Sequence, residues 1–274
     1  MKTDTLLVPT DFSEIADNAL QHALELAKAI PASVTLLHIV DDEDDTLELS
    51  AKLKSKAEEA TQKSGVQVDS MVAEGAVYDE IGAVAEDIDA HMIVMGTHGL
   101  RGWQFLTGSR ALRIITNSKT PFIVVQERGP REGGFDHIAL PIDLAKEEKQ
   151  KLKYVVEISK YFDGKIHILS PEHKDEFLAN QAKRNLKYAT DYLTKQEVDF
   201  AIETTPDVND FDTATIRFAA KIDADLICIV NHEESAHSLF GNSFEQKLIT
   251  NDSQIPVMVI NERVTTRAGR IIGT

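Results

Sequence analysis

The chain carries the same stretch of sequence twice, and that repeat constrains its fold more than any other feature. Thr5-Leu-Leu-Val-Pro-Thr-Asp11 returns as His137-Ile-Ala-Leu-Pro-Ile-Asp143, and Val34-Thr-Leu-Leu-His38 returns as Ile166-His-Ile-Leu-Ser170, both 132 residues on. Ala90-His-Met-Ile-Val-Met95 matches Ala224-Asp-Leu-Ile-Cys-Ile229 at 134, and Pro121-Phe-Ile-Val-Val125 matches Pro256-Val-Met-Val-Ile260 at 135. Gly108-Ser109 falls against Gly241, Asn242 and Ser243. Repeats in fixed order point to one structural unit built twice. The 274 residues accommodate two domains of about 130–140 each. The expected units are residues 1–130 and 135–262, followed by a tail, 263–274. Between them Glu127-Arg-Gly-Pro-Arg-Glu-Gly-Gly134, with three glycines and one proline, reads as a short linker.

Within each copy short apolar runs alternate with helical patterns. In the first the runs are Leu6–Val8, Val34–Ile39, Val66–Val72, Met92–Met95 and Phe122–Val125. Ile15, Ala19, Ala23 and Ala27 recur at helical spacing behind Ser13, an N-cap candidate, and Ile81, Val84, Ala85 and Ile88 mark another helix. The second copy repeats the pattern with Leu152, Val155, Val156 and Ser159, then with Phe240, Phe244 and Leu248. Continuous apolar strands separated by amphipathic helices imply parallel sheets covered on both faces. The expected fold is α/β: two doubly wound, five-stranded, Rossmann-like domains in tandem.

Composition narrows the function. Twenty-nine Lys and Arg against 45 Asp and Glu leave a net charge of −16, which argues against a partner such as nucleic acid or an anionic membrane. No apolar run approaches the roughly 18 residues of a spanning helix. The start, Met1-Lys-Thr-Asp4, does not read as a signal peptide, so a soluble cytoplasmic protein is expected. A single cysteine, Cys228, excludes an intrachain disulfide and reads as a buried small hydrophobe.

In an open parallel sheet ligands bind beyond the carboxyl ends of strands, where the strand order reverses. Two features of the first copy fall at such ends: Pro9-Thr10-Asp11 after the first strand, and Met95-Gly-Thr-His-Gly-Leu-Arg-Gly102 after the fourth. Gly108-Ser109-Arg110 then opens a helix. Glycines let a backbone approach phosphate closely, and a helix N-terminus adds about 0.3–1 kcal/mol of attraction per charge. Arg101, Arg110 and Arg113 lie close to this loop in an otherwise acidic copy, which suits a polyphosphate. Plainer readings exist for each residue. Asp11 also reads as a cap of the first helix, the glycines as a tight strand-to-helix turn, His98 as a loop hydrogen-bond donor, and Trp103 as a packing residue.

These residues resemble the universal stress protein family. The likeness runs through Val8-Pro-Thr-Asp-Phe-Ser-Glu14, Val94-Met-Gly-Thr-His-Gly99, Gly108-Ser109 and Pro121-Phe-Ile-Val-Val125, and the tandem chain resembles the family over nearly its whole length. The resemblance implies an adenine nucleotide alpha hydrolase-like fold and a cofactor such as ATP or another adenine nucleotide, with Mg2+ as a companion ion. ATP-binding members carry G-x2-G-x9-G-(S/T). This chain has Gly96-x2-Gly99-x8-Gly108-Ser109, one residue shorter. By the same resemblance Asp11 contacts the adenosine end, with Pro9 and Thr10 shaping the wall and Ile39 offering backbone groups to adenine. Met95, Gly96, His98 and Gly99 then line the ribose and first phosphates, and Gly108, Ser109 and Arg110 hold the distal ones.

The second copy keeps Pro141 and Asp143 but follows its fourth strand with Val230-Asn-His-Glu-Glu-Ser-Ala-His-Ser-Leu-Phe-Gly241. Both early glycines are missing, and Glu233 and Glu234 stand where phosphates need donors. This copy is expected to be structural. His232, Glu233 and His237 match no strong metal motif, and the acidic run Asp41–Asp45 lacks the spacing of a calcium loop. The leading function is a nucleotide-binding regulatory protein of the stress response. The alternatives are a slow ATPase or self-phosphorylating enzyme, and an interaction scaffold that binds no nucleotide.

One further expectation concerns assembly. A last strand at a sheet edge leaves backbone groups unpaired. The family resemblance implies that a second copy's last strand covers this edge, so the two last strands are expected to lie antiparallel and adjacent, an intrachain pseudo-dimer burying Ile123, Val125, Val257 and Val259. The resemblance also implies a homodimer of whole chains.

Overall fold

A computed structural model of the chain describes residues 4–40, 46–97, 108–145, 149–231 and 244–261. The first copy runs β1 (Asp4–Pro9), α1 (Glu14–Ala29), β2 (Ala32–Val40), α2 (Thr46–Ser64), β3 (Val68–Glu74), α3 (Val77–Asp87), β4 (Met92–Gly96), α4 (Gly108–Thr116) and β5 (Phe122–Val125). The second runs β6 (His137–Pro141), α5 (Lys151–Phe162), β7 (Lys165–Pro171), α6 (Glu176–Lys195), β8 (Phe200–Thr205), α7 (Phe211–Lys221), β9 (Leu226–Asn231), α8 (Phe244–Ile249) and β10 (Val257–Asn261). The strands form one sheet in the order β3-β2-β1-β4-β5-β10-β9-β6-β7-β8. Pairing is parallel within each half and antiparallel only at the centre, where Met258 faces Ile123.

The alternating character of the strands sorts the core into two layers. Leu6, Val8, Leu36, Ile123, Val125, Met258 and Ile260 pack under α1, α2, α5 and α6. Leu7, Leu37, Phe122, Val124, Val257 and Val259 pack under α3, α4, α7 and α8. Each layer crosses the β5–β10 junction without a break, so the last strands of both copies are central strands of one sheet. Ile123, Val125, Val257 and Val259 are all buried there, as expected.

Local chemistry sets the element ends. Ser13 caps α1, its hydroxyl accepting from Ala16 N at 3.2 Å. β3 begins two residues later than the apolar run suggested. Gly65, at φ +74°, turns the chain out of α2, and Val66 drops into the core while Val68 enters the ladder.

Residues 127–134 are held on both sides. Asn18 donates to the carbonyls of Gln126 (2.6 Å) and Arg128 (2.9 Å). Burial pushes the His22 imidazole below its ordinary pKa of 6.5, and the neutral ring donates Nε2–H to the Arg128 carbonyl at 2.9 Å. From the same segment Arg128 donates to the Ala224 carbonyl at 3.3 Å, and Arg131 pairs with Asp223 and with buried Asp225 (3.1 Å). The linker is thus a strap between the copies.

A second contact crosses the seam between His91, which precedes β4, and Glu157 of α5, at 3.2 Å. The hydrogen bond to Glu157 raises the His91 pKa above 6.5, and the bond from His91 lowers that of Glu157 below 4.5. Asp4, Lys153 and Tyr161 complete the surroundings. A raised histidine pKa stabilises the fold below 6.5 and loses that contribution as pH rises through the folded value. A lowered glutamate pKa contributes above 4.5 and is lost as pH falls through the folded value. The pair therefore acts most fully between pH 4.5 and 6.5. Urea titrations should show His91→Gln losing about 1 kcal/mol at pH 5.5 and less at pH 8.5. A loss independent of pH would assign His91 a packing role alone.

Candidate functional site

β1 lies between β2 and β4, and the chain proceeds from β1 to one side and later to the other. The strand order reverses at β1–β4, and the carboxyl ends there belong to Pro9 and Gly96. Because β4 and β5 are parallel, α4 runs back across the sheet and starts, at Gly108, on this same end. Three separate pieces of sequence thus share the carboxyl end of the sheet: the Pro9–Asp11 turn, the end of β4 and the first turn of α4.

The turn after β1 is built by its own side chains. Thr10 is buried, its N–H donating to the Leu37 carbonyl at 2.8 Å and its hydroxyl accepting from Phe12 N at 3.1 Å. The exposed Asp11 carboxylate accepts from Ser13 N at 3.0 Å. Asp11 therefore shapes the turn, and of the two cap candidates Ser13 takes the cap. Phe12 adopts φ +63°, a left-handed conformation unusual for a bulky residue. Its ring packs against His38 at 4.8 Å between centroids, and the Lys52 ammonium sits 3.9 Å above it. His38 Nδ1 lies 2.7 Å from the Thr10 carbonyl, which only accepts, so this nitrogen carries the proton.

β4 supplies backbone rather than side chains. Met95 is 1% exposed, its side chain in the layer under α3 and α4, so only its main chain faces the strand end. At Gly96 a Cβ would lie 2.6 Å from Ile15 Cγ2 and 2.7 Å from the Ile15 carbonyl oxygen. Glycine here lets α1 approach the end of β4. Thr97 follows, fully buried, donating its N–H to the Val125 carbonyl at 2.8 Å. Ile39, near the end of β2, is half-buried on the same face as Met95.

Of the residues singled out in the sequence, Pro9, Thr10, Asp11, Met95 and Gly96 come together at this reversal. Ile39 stands one strand away, and Gly108, Ser109 and Arg110 form the first turn of α4. Arg113 sits over the Tyr78 ring at 4.8 Å, committed to α3. His98, Gly99, Arg101, Trp103, the Asp41–Asp45 run, His232, Glu233, Glu234, His237, Phe240 and the tail lie outside the described residues. Sequence reasoning missed Phe12 and His38. A lone histidine inside the apolar run Leu36–Val40 was the available signal for His38, whereas a left-handed phenylalanine has no sequence signature.

The second copy differs at the matching place. Ile142 N donates to the Leu169 carbonyl at 2.8 Å, as Thr10 does to Leu37. There the resemblance stops. Lys151, 1% exposed, donates its ammonium to the Pro141 carbonyl. Asn185 donates to the Asp143 and Ala145 carbonyls at 2.8 and 3.2 Å, and Gln181 to that of Leu144 at 2.7 Å. Side chains of α5 and α6 fasten this loop down.

The fold is that of a tandem α/β protein with two doubly wound halves. A sequence model of the universal stress protein family matches residues 2–126. A universal stress protein of Methanocaldococcus jannaschii is 34% identical over 138 residues, covering 44% of this chain and 81% of that protein. A universal stress protein of Synechocystis is 30% identical over 132 residues, covering 44% of this chain and 84% of that one. The chain belongs to the universal stress protein family. A crystal structure of a universal stress protein from Archaeoglobus fulgidus matches at 17% identity with a TM-score of 0.78, covering 96% of this chain and 100% of that one. That likeness extends the shared fold across both copies. Among the described residues no helix is long and apolar enough to cross a membrane.

Proposed function

We propose that the first copy binds an adenine nucleotide, ATP foremost, and that the chain is a nucleotide-dependent regulatory protein whose second copy is structural. The observation that carries this reading is that the Pro9–Asp11 turn, the β4 end and the α4 N-terminus all lie at the carboxyl end of the sheet, where the strand order reverses. Asp11 is exposed there, so its carboxylate has an oxygen to offer the adenosine end beside the bond it accepts from Ser13. Pro9 and Thr10 form the wall, and Ile39 contributes backbone groups toward the base. The backbone of Met95, Gly96, His98 and Gly99 would line the ribose and first phosphates. Gly108, Ser109 and Arg110 would take the distal phosphates, with the α4 dipole adding to the attraction. Mg2+ would accompany the phosphates as their counter-ion.

The second copy is assigned no nucleotide for two reasons. Its loop after β6 is fastened by Lys151, Gln181 and Asn185, and its sequence after β9 carries Glu233 and Glu234 in place of the early glycines. Isothermal titration with ATP and Mg2+ should give one site per chain. Gly99→Val should weaken that site by about 100-fold or more, since added carbon atoms block backbone approach to phosphate. Two sites per chain would overturn the assignment of the second copy, and unchanged affinity in the variant would place the ligand elsewhere.

A further inference from the structure

The second copy reaches into the first through two asparagines. Asn261, the last residue of β10, donates both amide hydrogens to α4, one to the Ile115 carbonyl and one to that of Ser118 just past the helix. Its oxygen accepts from Asn231 Nδ2 at 2.8 Å, and Asn231, at the end of β9, also lies 3.2 Å from Thr116 Oγ1. The last carbonyls of a helix have no partner within it. Here Arg113 and Ile115 accept from Asn117 N (3.3 Å) and Ser118 N (3.2 Å), and Asn261 adds a second donor to the Ile115 carbonyl from the other copy.

A related contact occurs on the opposite side of the seam. Gln126 follows β5 as Asn261 closes β10, and it donates to the Asn251 carbonyl, just past α8, at 3.0 Å. The two contacts are alike in kind, yet only α4 begins at the strand-order reversal of the first copy.

We infer that Asn261 is a positioning residue for the ligand end of α4, so that the copy lacking the glycine loop sets the affinity of the copy that has it. The inference rests on the nucleotide reading above. α4 is nine residues long, so Gly108 lies about 13 Å from the clamp, and a short rigid helix carries a shift at one end to the other. Asn231 holds Asn261 in the required orientation.

The test compares two alike lesions in the full chain, Asn261→Leu and Gln126→Leu, by ATP titration and by hydrogen exchange of the α4 amides. Asn261→Leu should weaken ATP by about tenfold, and Gln126→Leu by less than about twofold. Asn261→Gln, which restores an amide of the length used at Gln126, should recover most of the affinity. Equal losses in both leucine variants would mean general loosening of the seam and would overturn the inference, as would no loss in either. If the unmodified chain binds no ATP, the nucleotide reading fails and exchange alone decides. Residues 112–116 should then exchange about tenfold faster in Asn261→Leu and not in Gln126→Leu. Unchanged exchange there would remove the clamp itself.

Discussion

Gly96→Ala should destabilise the protein by about 2–3 kcal/mol in urea titrations at pH 7, although it adds a single methyl group. The added carbon would meet Ile15 Cγ2 at 2.6 Å and, more seriously, the Ile15 carbonyl oxygen at 2.7 Å. A side-chain tip can rotate away, but a helical carbonyl moves only with its helix. α1 is seated by Ala19 and Ala23, both fully buried, and by Leu20, Leu24 and Leu26, so its retreat would open the layer beneath it. Adding Ile15→Ala relieves only the side-chain clash, so the double variant should recover none of the carbonyl contribution. A Gly96→Ala protein within about 0.5 kcal/mol of the unmodified chain would show that α1 can yield.

Met258→Pro should have the larger effect on the architecture. β10 lies between β9 and β5, and Met258 pairs with Cys228 on one side and Ile123 on the other. Proline removes a ladder donor whichever neighbour it served, and its ring is not accommodated in a central strand. The expected loss is about 3 kcal/mol or more, beyond that of Met258→Ala, which removes the same buried side chain and keeps the backbone donor. NMR relaxation should show one tumbling time for the unmodified chain and for Met258→Ala. In Met258→Pro the halves should separate to the extent that the strap at residues 127–134 permits. Two independent tumbling times in the unmodified chain would contradict the continuous sheet.

Much of this was legible beforehand because the signals were local or repeated. Apolar runs such as Leu6–Val8 and Met92–Met95 declare buried parallel strands whatever their neighbours. The matched order of Pro9 and Pro141, or Pro121 and Pro256, declares a duplicated unit. Ser13 declared the start of α1 by hydroxyl chemistry alone. The antiparallel junction was expected from the family resemblance, in which a second copy's last strand covers the first's, and β3 and β8 are left as the two edges of the sheet. Asp11 was ambiguous because a carboxylate two residues before Ser13 serves a turn as well as it serves a helix; the geometry chose the turn. Gly96 was read as room for phosphate, and the structure adds room for α1, a contact between segments some 80 residues apart.

What the sequence determined by itself was the period of each segment, the duplication, the sign of the charge and the loss of glycines in the second copy. These are properties of neighbouring residues or of comparison along the chain. Only the tertiary structure decided which groups meet across it: Lys52 over Phe12, His38 under the Thr10 carbonyl, His91 against Glu157, Asn261 on the end of α4. An asparagine after an apolar strand reads the same whether it faces water or a helix terminus. Its partners are 143 and 146 residues away, and only the packing of the whole sheet brings them within hydrogen-bond reach.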